Sequence, residues 1–345
     1  MPWVSVVARH SPAGSPKPHK HLPRGRTLNA LVAGGAGFIG SHLCAALLDR
    51  GHQVTCVDNL QTGSLRNLSG IWDHPDLRFV EHDITAPLPP GLQPDLIFHL
   101  ASPASVVDYL ALPVQTMRAN SLGTLNLLEL AASSGAGFLF ASTSEVYGDP
   151  LVHPQPETYQ GNTETLGVRA PYHESKRFGE VATLEYGRSR GVDARIVRIF
   201  NTYGPHSRLD DGRIMPNFII QALRNEPITI YGDGSQTRSF CYVSDMVEGI
   251  LAAMMTAGTV GKVFNLGNPD EHSVLSLARI VAGRLGSTAE PVRRALPEGD
   301  PTRRRPDIAR AEAMLGWSPT VDLPAGIART AAWFESLLKA PAEAR

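Results

Sequence analysis

Two short stretches of this chain carry side chains that can move protons. Ser142-Thr143-Ser144-Glu145-Val146-Tyr147 closes an apolar run, and Tyr172-His173-Glu174-Ser175-Lys176 opens a helical one. Residues four apart on a helix share a face, so Tyr172 and Lys176 project together. A phenol titrates near ~10 and is a poor base at neutral pH, but a neighbouring ammonium favours the phenolate. Such a tyrosine can take the proton of an alcohol while hydride leaves the same carbon, provided that the chain also holds a hydride acceptor. Without a binding place for that acceptor, Y-x-x-x-K is an ordinary surface pair on a helix.

The binding place is legible near the start of the chain. Leu31-Val32-Ala33 is followed by Gly34, Gly37 and Gly40 and then by an amphipathic pattern. This reads as a buried strand, a tight turn and a helix N-terminus. Gly34 permits the turn, Gly37 lets the backbone approach a pyrophosphate, and Gly40 lets helix and strand pack closely, with the helix dipole facing the anion. Asp58 ends the run V-T-C-V-D about twenty residues further on, where a carboxylate accepts hydrogen bonds from a ribose 2′-hydroxyl. It would repel a 2′-phosphate, and Asn59 supplies no compensating cation. The expected cofactor is therefore NAD and not NADP.

Strand and helix patterns alternate after this turn, which predicts an α/β fold, a Rossmann-type doubly wound parallel sheet. Strands are expected at Asn29–Ala33, Gln53–Val57, Leu77–Glu81, Asp95–Leu100, Gly137–Ser142 and Asp193–Ile199, and helices at Phe38–Asp49, Pro113–Ser134 and Pro171–Arg190. Asp83-Ile84 and Leu100-Ala101-Ser102 follow strands, so they converge on the crevice outside the strands' carboxyl ends. From about Phe200 the elements shorten and are broken by Gly and Pro, with apolar strands at Ile228–Tyr231 and Val263–Leu266. The expected division is a leader at 1–26, an NAD-binding domain at 27–200 and a smaller C-terminal substrate-binding lobe at 201–340, with some chain crossing between lobes.

Composition narrows the function. A chain of 345 residues can bury a large core. A formal charge of −1 and a pI near 6.9 argue against nucleic-acid or membrane-surface partners. A phosphorylated ligand must then be met by local arginines. No apolar run approaches the length of a membrane-spanning helix. Cys44, Cys56 and Cys241 have no metal-ligand spacing and suit burial in a reducing, cytoplasmic compartment, and no metal is expected. The leader is rich in Pro, His, Lys and Arg without an apolar core, which reads as a disordered tail and not a secretory signal.

From Asn29 to Leu338 the chain resembles the extended short-chain dehydrogenases/reductases that act on nucleotide sugars, and among them the UDP-glucuronate decarboxylases, or UDP-xylose synthases. The likeness is carried by G-G-A-G-F-I-G-S-H-L, V-D-N-L-Q-T-G, H-D-I-T, H-L-A-S-P-A-S, S-T-S-E-V-Y-G-D-P, R-I-F-N-T-Y-G-P, G-D-G-S-Q-T-R-S-F-C-Y-V, F-N-L-G-N-P and R-P-D-I. The A-S-P-A-S and T-S-E-V-Y-G-D-P runs are the specific ones. The resemblance implies NAD held by Gly34, Gly37, Phe38, Ile39, Gly40, Asp58, Asn59, Thr62, Gly63, Asp83, Ile84, Leu100, Ala101 and Ser102, together with Tyr172 and Lys176. It also implies that Thr143 bonds the sugar 4-hydroxyl, that Tyr172 is the base, that Lys176 holds the nicotinamide ribose and that Glu145 sits near C5 and C6. Ser144, Asn201, Arg238 and Arg304 would contact the diphosphate or sugar, and Tyr231 would pack near the uracil. Arginine's planar fork suits phosphate oxygens; Arg303 and Arg305 read as solvated. A homodimer is implied, its Pro113–Ser134 and Pro171–Arg190 helices pairing through Ala119, Leu122, Leu125, Ala182 and Leu184. His173, Ser175, Val106 and His206 depart from the family pattern, and His206 stands where an arginine is usual.

Enzymes of this kind begin by oxidising C4 of the hexose. A 4,6-dehydratase then expels the C6 hydroxyl with an acid, typically an Asp between the Thr and the Glu, where this chain has Ser144. A decarboxylase needs no such acid, because a 4-ketone makes the C6 carboxylate part of a β-keto acid. A 4-epimerase would give Glu145 little to do. The expected activity is UDP-glucuronate decarboxylation to UDP-xylose. A 4,6-dehydratase, a 4-epimerase and a non-catalytic dinucleotide-binding redox sensor stand as alternatives, and the choice between uracil and thymine is open.

Overall fold

Runs such as N-A-L-V-A and L-I-F-H are apolar at nearly every position, as strands covered on both faces must be. In the computed structural model, which describes residues 26–296 and 299–339, they are β1 (Asn29–Ala33), β2 (Gln53–Asp58), β3 (Leu77–Glu81), β4 (Leu96–His99), β5 (Gly137–Thr143) and β6 (Asp193–Ile199). With Val263–Leu266 they form a seven-stranded sheet in the order Val263–Leu266, β6, β5, β4, β1, β2, β3. Every pairing in it is parallel. The strand order reverses between β1 and β4, and a ligand crevice opens at such a switch point. The leader expected at 1–26 lies outside the described residues apart from Arg26.

The helices are α1 (Phe38–Asp49), α2 (Val106–Ala111), α3 (Pro113–Arg118), α4 (Thr124–Ser134), α5 (Ala170–Arg190), α6 (Ile214–Leu223), α7 (Val243–Met255), α8 (Val274–Leu285), α9 (Ala309–Leu315) and α10 (Leu323–Lys339). Leu43 and Leu47 of α1 share one core with Ile250 and Met254 of α7. Leu127 and Ala131 of α4 lie in a second core with Phe138 and Phe140 of β5. A third core joins Phe218 of α6, Leu277 of α8 and Phe334 of α10.

Two expectations need correction. Val263–Leu266 was expected among the elements of the second lobe, but it pairs with Ile196–Ile199 of β6 and adds the seventh strand to the first. Its V-F-N-L pattern specifies burial, and burial was available at the sheet's edge. The single helix expected at Pro113–Ser134 is divided by a π turn at Ala119–Gly123. That turn brings the buried Asn120 side chain to donate to Ser175 Oγ on α5 at 3.1 Å. Gly123 also lies so close to Ile84 that a β-carbon would come within 2.6 Å of its Cδ1. π turns are frequent at functional sites, and this one braces the helix that carries Tyr172.

Candidate active site

β5 ends at Thr143, whose Oγ1 accepts a hydrogen bond from Glu145 N at 3.2 Å and caps the short 3₁₀ turn Ser144–Tyr147. The cap turns Ser144 and Glu145 over the carboxyl edge of the sheet. α5 starts with Pro171 in its first turn, as a proline with no N–H to satisfy can. Its face towards β5 is close-packed, since a β-carbon at Gly179 would collide with the Phe140 ring. That approach lets Lys176 Nζ donate to Ala141 O at 2.8 Å.

Tyr172 and Lys176 are both buried. Burial pulls the Lys176 ammonium down to about 7, against the charge of Glu180. Burial and Glu145 push Tyr172 up to about 12, with a Thr143 hydrogen bond, Arg213 and Arg304 acting the other way. Tyr172 is therefore a neutral phenol in the cofactor-free protein. Its ring lies flat on that of Tyr109, with centroids 4.7 Å apart and planes at 7°. The Tyr109 hydroxyl donates to Glu145 Oε2 at 3.4 Å. Glu145 Oε1 lies 3.6 Å from Arg169 Nη1 and 3.5 Å from Arg304 Nη1. Burial opposes ionisation of Glu145, yet Arg304 and Arg169 together hold its carboxyl below the usual range.

The crevice lining contains the whole dinucleotide set read from the sequence. Gly34, Gly37, Phe38, Ile39, Gly40, Thr62, Leu100 and Ser102 border one part together with Thr143, Ser144, Glu145, Tyr172, Lys176, Asn201 and Arg304. Asp58, Asn59, Gly63, Asp83, Ile84 and Ala101 border its continuation.

Residues 30–267 match the NAD dependent epimerase/dehydratase family. The chain belongs to that family. It is 48% identical over 326 residues to UDP-glucuronic acid decarboxylase 4 of Arabidopsis thaliana, a match that spans 94% of this chain and 72% of that protein. The match to UDP-glucuronic acid decarboxylase 1 of Xenopus tropicalis is 46% over 322 residues, 93% of this chain and 76% of that protein. The structure of UDP-glucuronic acid 4-epimerase from Bacillus cereus in complex with UDP-glucuronic acid and NAD aligns with a TM-score of 0.81 at 30% identity, covering 90% of this chain and 100% of that one.

The crevice of this epimerase/dehydratase family member fits NAD on its own geometry. Gly34 has φ +81, and a β-carbon there would lie 2.6 Å from Ala101 N, so the turn leaves room for backbone alone. Asp58 accepts from Ala36 N at 3.0 Å and from Leu60 N at 2.8 Å, which aims its carboxylate. Burial raises its pKa, and the two backbone bonds oppose the rise. An aimed acceptor of this kind suits a ribose diol and not a 2′-phosphate.

Two residues expected at the substrate are not on the lining. Tyr231 belongs to a strand, Thr229–Tyr231, paired with Val292–Arg294, and stands 41% exposed. Arg238 is buried behind the cleft, donating to Thr237 O and to Asp300 Oδ2, both at 2.8 Å. Asp300 also lies 3.6 Å from Arg169. A chain of charges thus runs Arg304, Glu145, Arg169, Asp300, Arg238. Sequence reasoning missed Tyr109, Arg169, Asp300, Arg208 and Arg213. Tyr109 lies four residues after the specific A-S-P-A-S run and Arg169 directly precedes the helix of Tyr172, the sequence positions from which they could have been found. His206 lines the cleft, bonded through Nδ1 to Ser41 Oγ at 2.8 Å and stacked 4.3 Å from His42. Burial and His42 bring it down to about 4, so it is a neutral ring at pH 7. Arg208, two residues on, and Arg213 are cations on this segment of the lining.

The buried lysine gives a pH test. Its folded value of about 7 lies below the ordinary 10.5. Between those values the unfolded chain binds the additional proton, so stability of the cofactor-free protein rises with pH. Urea denaturation should show wild type gaining about 2 kcal/mol more than Lys176→Met between pH 7 and pH 9. Parallel profiles for the two proteins would contradict a neutralised, buried Lys176.

Proposed function

We propose that this chain converts UDP-glucuronate to UDP-xylose and CO₂. The observation that carries the reading is the run Thr143-Ser144-Glu145, in which Ser144 stands where an acid is needed to expel a hydroxyl and Glu145 is fixed as a carboxylate by Arg169 and Arg304. The site offers a base and hydrogen-bond donors, and the carboxyl of its Glu145 is held ionised. Relatives at 46% and 48% identity are UDP-glucuronic acid decarboxylases, which supports the same reading.

NAD, when bound, supplies the acceptor and donor of the C4 hydride. Thr143 and Tyr172 converge on the position of the C4 hydroxyl, and Tyr172 takes its proton. Lys176 assists by favouring the phenolate. Once C4 is a ketone, the C5–C6 bond breaks, CO₂ departs and the electron pair moves into the C4 carbonyl, where the protonated Tyr172 stabilises the enolate. C5 collects a proton from a water that Glu145 orients, since the ionised Glu145 has none to give. Asn201 and Arg304 serve the sugar or diphosphate.

The chain acts as a homodimer in a reducing, cytoplasmic compartment on this reading. Cys44, Cys56 and Cys241 are unpaired and buried, and no helix among the described residues is long and apolar enough to cross a membrane. Val114, Met117, Leu122, Phe178 and Val181 are exposed on α3, the π turn and α5. They form an apolar face suited to a two-fold contact. Ala182 and Leu184, expected on that face, lie instead half-buried against the core under the sheet.

Purified protein incubated with UDP-glucuronate should release CO₂ and yield UDP-pentose by mass spectrometry, with the TDP sugar as comparison. Tyr172→Phe should lower kcat about 10³-fold while retaining nucleotide. Near-normal turnover in that variant would assign the base elsewhere, an unchanged mass with inverted C4 would favour an epimerase, and a 6-deoxy-4-keto product from UDP- or TDP-glucose would favour a dehydratase. Light scattering should report a dimer at micromolar concentration, and a monomer would overturn the two-fold contact.

A further inference from the structure

Segments from opposite lobes meet at the mouth of the cleft, in a contact that the chemistry above does not use. From the first lobe comes α2, capped by Ser105, whose Oγ accepts from Asp108 N at 3.1 Å. From the second comes the segment 204–213, in which His206 has φ +69 and Gly212 φ +78. Arg208 Nη2 donates to Asp108 Oδ1 at 2.8 Å, and Arg208 Nε donates to Asp210 Oδ1 at 2.9 Å. Val107 packs against Gly212 so closely that a β-carbon there would collide with it. The other end of the segment is tied to α1 by the His206–Ser41 bond, beside the dinucleotide turn, and Trp333 Nε1 of α10 donates to Ser207 O at 3.1 Å. The segment therefore crosses from the helix that faces the pyrophosphate position to α2, and both Asp108 and Arg208 line the cleft beneath it.

We propose that the Asp108–Arg208 bridge is a latch that closes the cleft over the bound dinucleotide and slows its escape. The side chains are 15% and 31% exposed, so the pair is shielded more than a surface ion pair. Asp210 holds the same guanidinium, so little side-chain freedom is lost when the bridge to Asp108 forms. The latch suits a redox-neutral cycle, in which the reduced cofactor has to stay until the ketone is reduced; that consequence rests on the proposed function, whereas retention itself rests on NAD binding alone.

The test measures dissociation of NADH from the loaded protein by stopped-flow fluorescence, with excess NAD⁺ as trap. Asp108→Arg and Arg208→Asp should each speed release about ten-fold or more, and the double reversal should return it to within about three-fold of wild type. The milder Asp108→Asn and Arg208→Gln variants, checked for wild-type circular dichroism, should show the same direction. Unchanged release in the single variants overturns the latch. Fast release in Arg208→Asp with no rescue in the double reversal also overturns it and assigns Arg208 to direct phosphate contact. The readout needs no sugar nucleotide, so a failure to decarboxylate UDP-glucuronate leaves this result intact.

Discussion

The site is organised by one buried amine, Lys176, whose ammonium form burial pulls down to about 7. Lys176 donates to Ala141 O at the end of β5 and lies 5.0 Å from the centre of the Phe140 ring. A charge in that position is costly unless its surroundings are fixed. They are fixed by Glu180, one turn along α5, which accepts from Ser142 Oγ at 2.6 Å and takes both forks of Arg198 on β6 at 2.8 and 2.7 Å. Arg198 continues to the Tyr147 hydroxyl at 2.9 Å, and Tyr147 donates to Asn265 on the seventh strand at 2.8 Å. α5 is thus locked in register over three adjacent strands. Because Tyr172 and Lys176 share that helix, the register places the phenol against Thr143. His99 beneath them is kept neutral, down to about 3, by burial and by the Lys176 charge, so it brings no competing cation.

Around the phenol, charge is distributed so that Glu145 stays ionised and Tyr172 stays protonated until something with positive charge arrives. Arg169 and Arg304 sit on one oxygen of Glu145, while Tyr109 donates to the other and buttresses the Tyr172 ring. This arrangement is poor at delivering a proton to a leaving hydroxyl and well suited to tolerating a substrate carboxylate, because the arginines exceed what Glu145 alone requires. Ser144 in place of an acid acts in the same direction. Loss of CO₂ needs no proton donor at C6, and that difference separates the reactions open to this fold.

The parts that could be read from sequence are those whose chemistry demands particular residue types at short, fixed spacing. The glycines of the dinucleotide turn, Asp58 and the Tyr172–Lys176 pair are of that kind, and the positions of β1 to β6 along the chain follow from their apolar runs. Tyr109, Arg169 and Asp300 come from three separate segments and meet only on folding, so no spacing rule links them. Arg238 was assigned to the substrate by resemblance, whereas strand pairing between Thr237–Ser239 and Arg303–Arg304 buries it against Asp300. Tyr231, implied in the same way, lies exposed on the strand Thr229–Tyr231. A four-residue run such as Val263–Leu266 declares that it is buried but not which sheet buries it. The periodicity of Pro113–Ser134 is the same whether the helix is continuous or carries a π turn, so the brace made by Asn120 on Ser175 was invisible before the fold was known.

On the proposed function, Tyr172 and Lys176 serve a closed cycle at C4 while Glu145 governs protonation at C5. The measurement that tests it most directly follows UDP-glucuronate turnover in D₂O without added NADH, with the position of deuterium read by NMR. One deuterium at C5 of the xylose and none at C4 is the result this account requires. Deuterium at C4, or a requirement for external reductant, would contradict it.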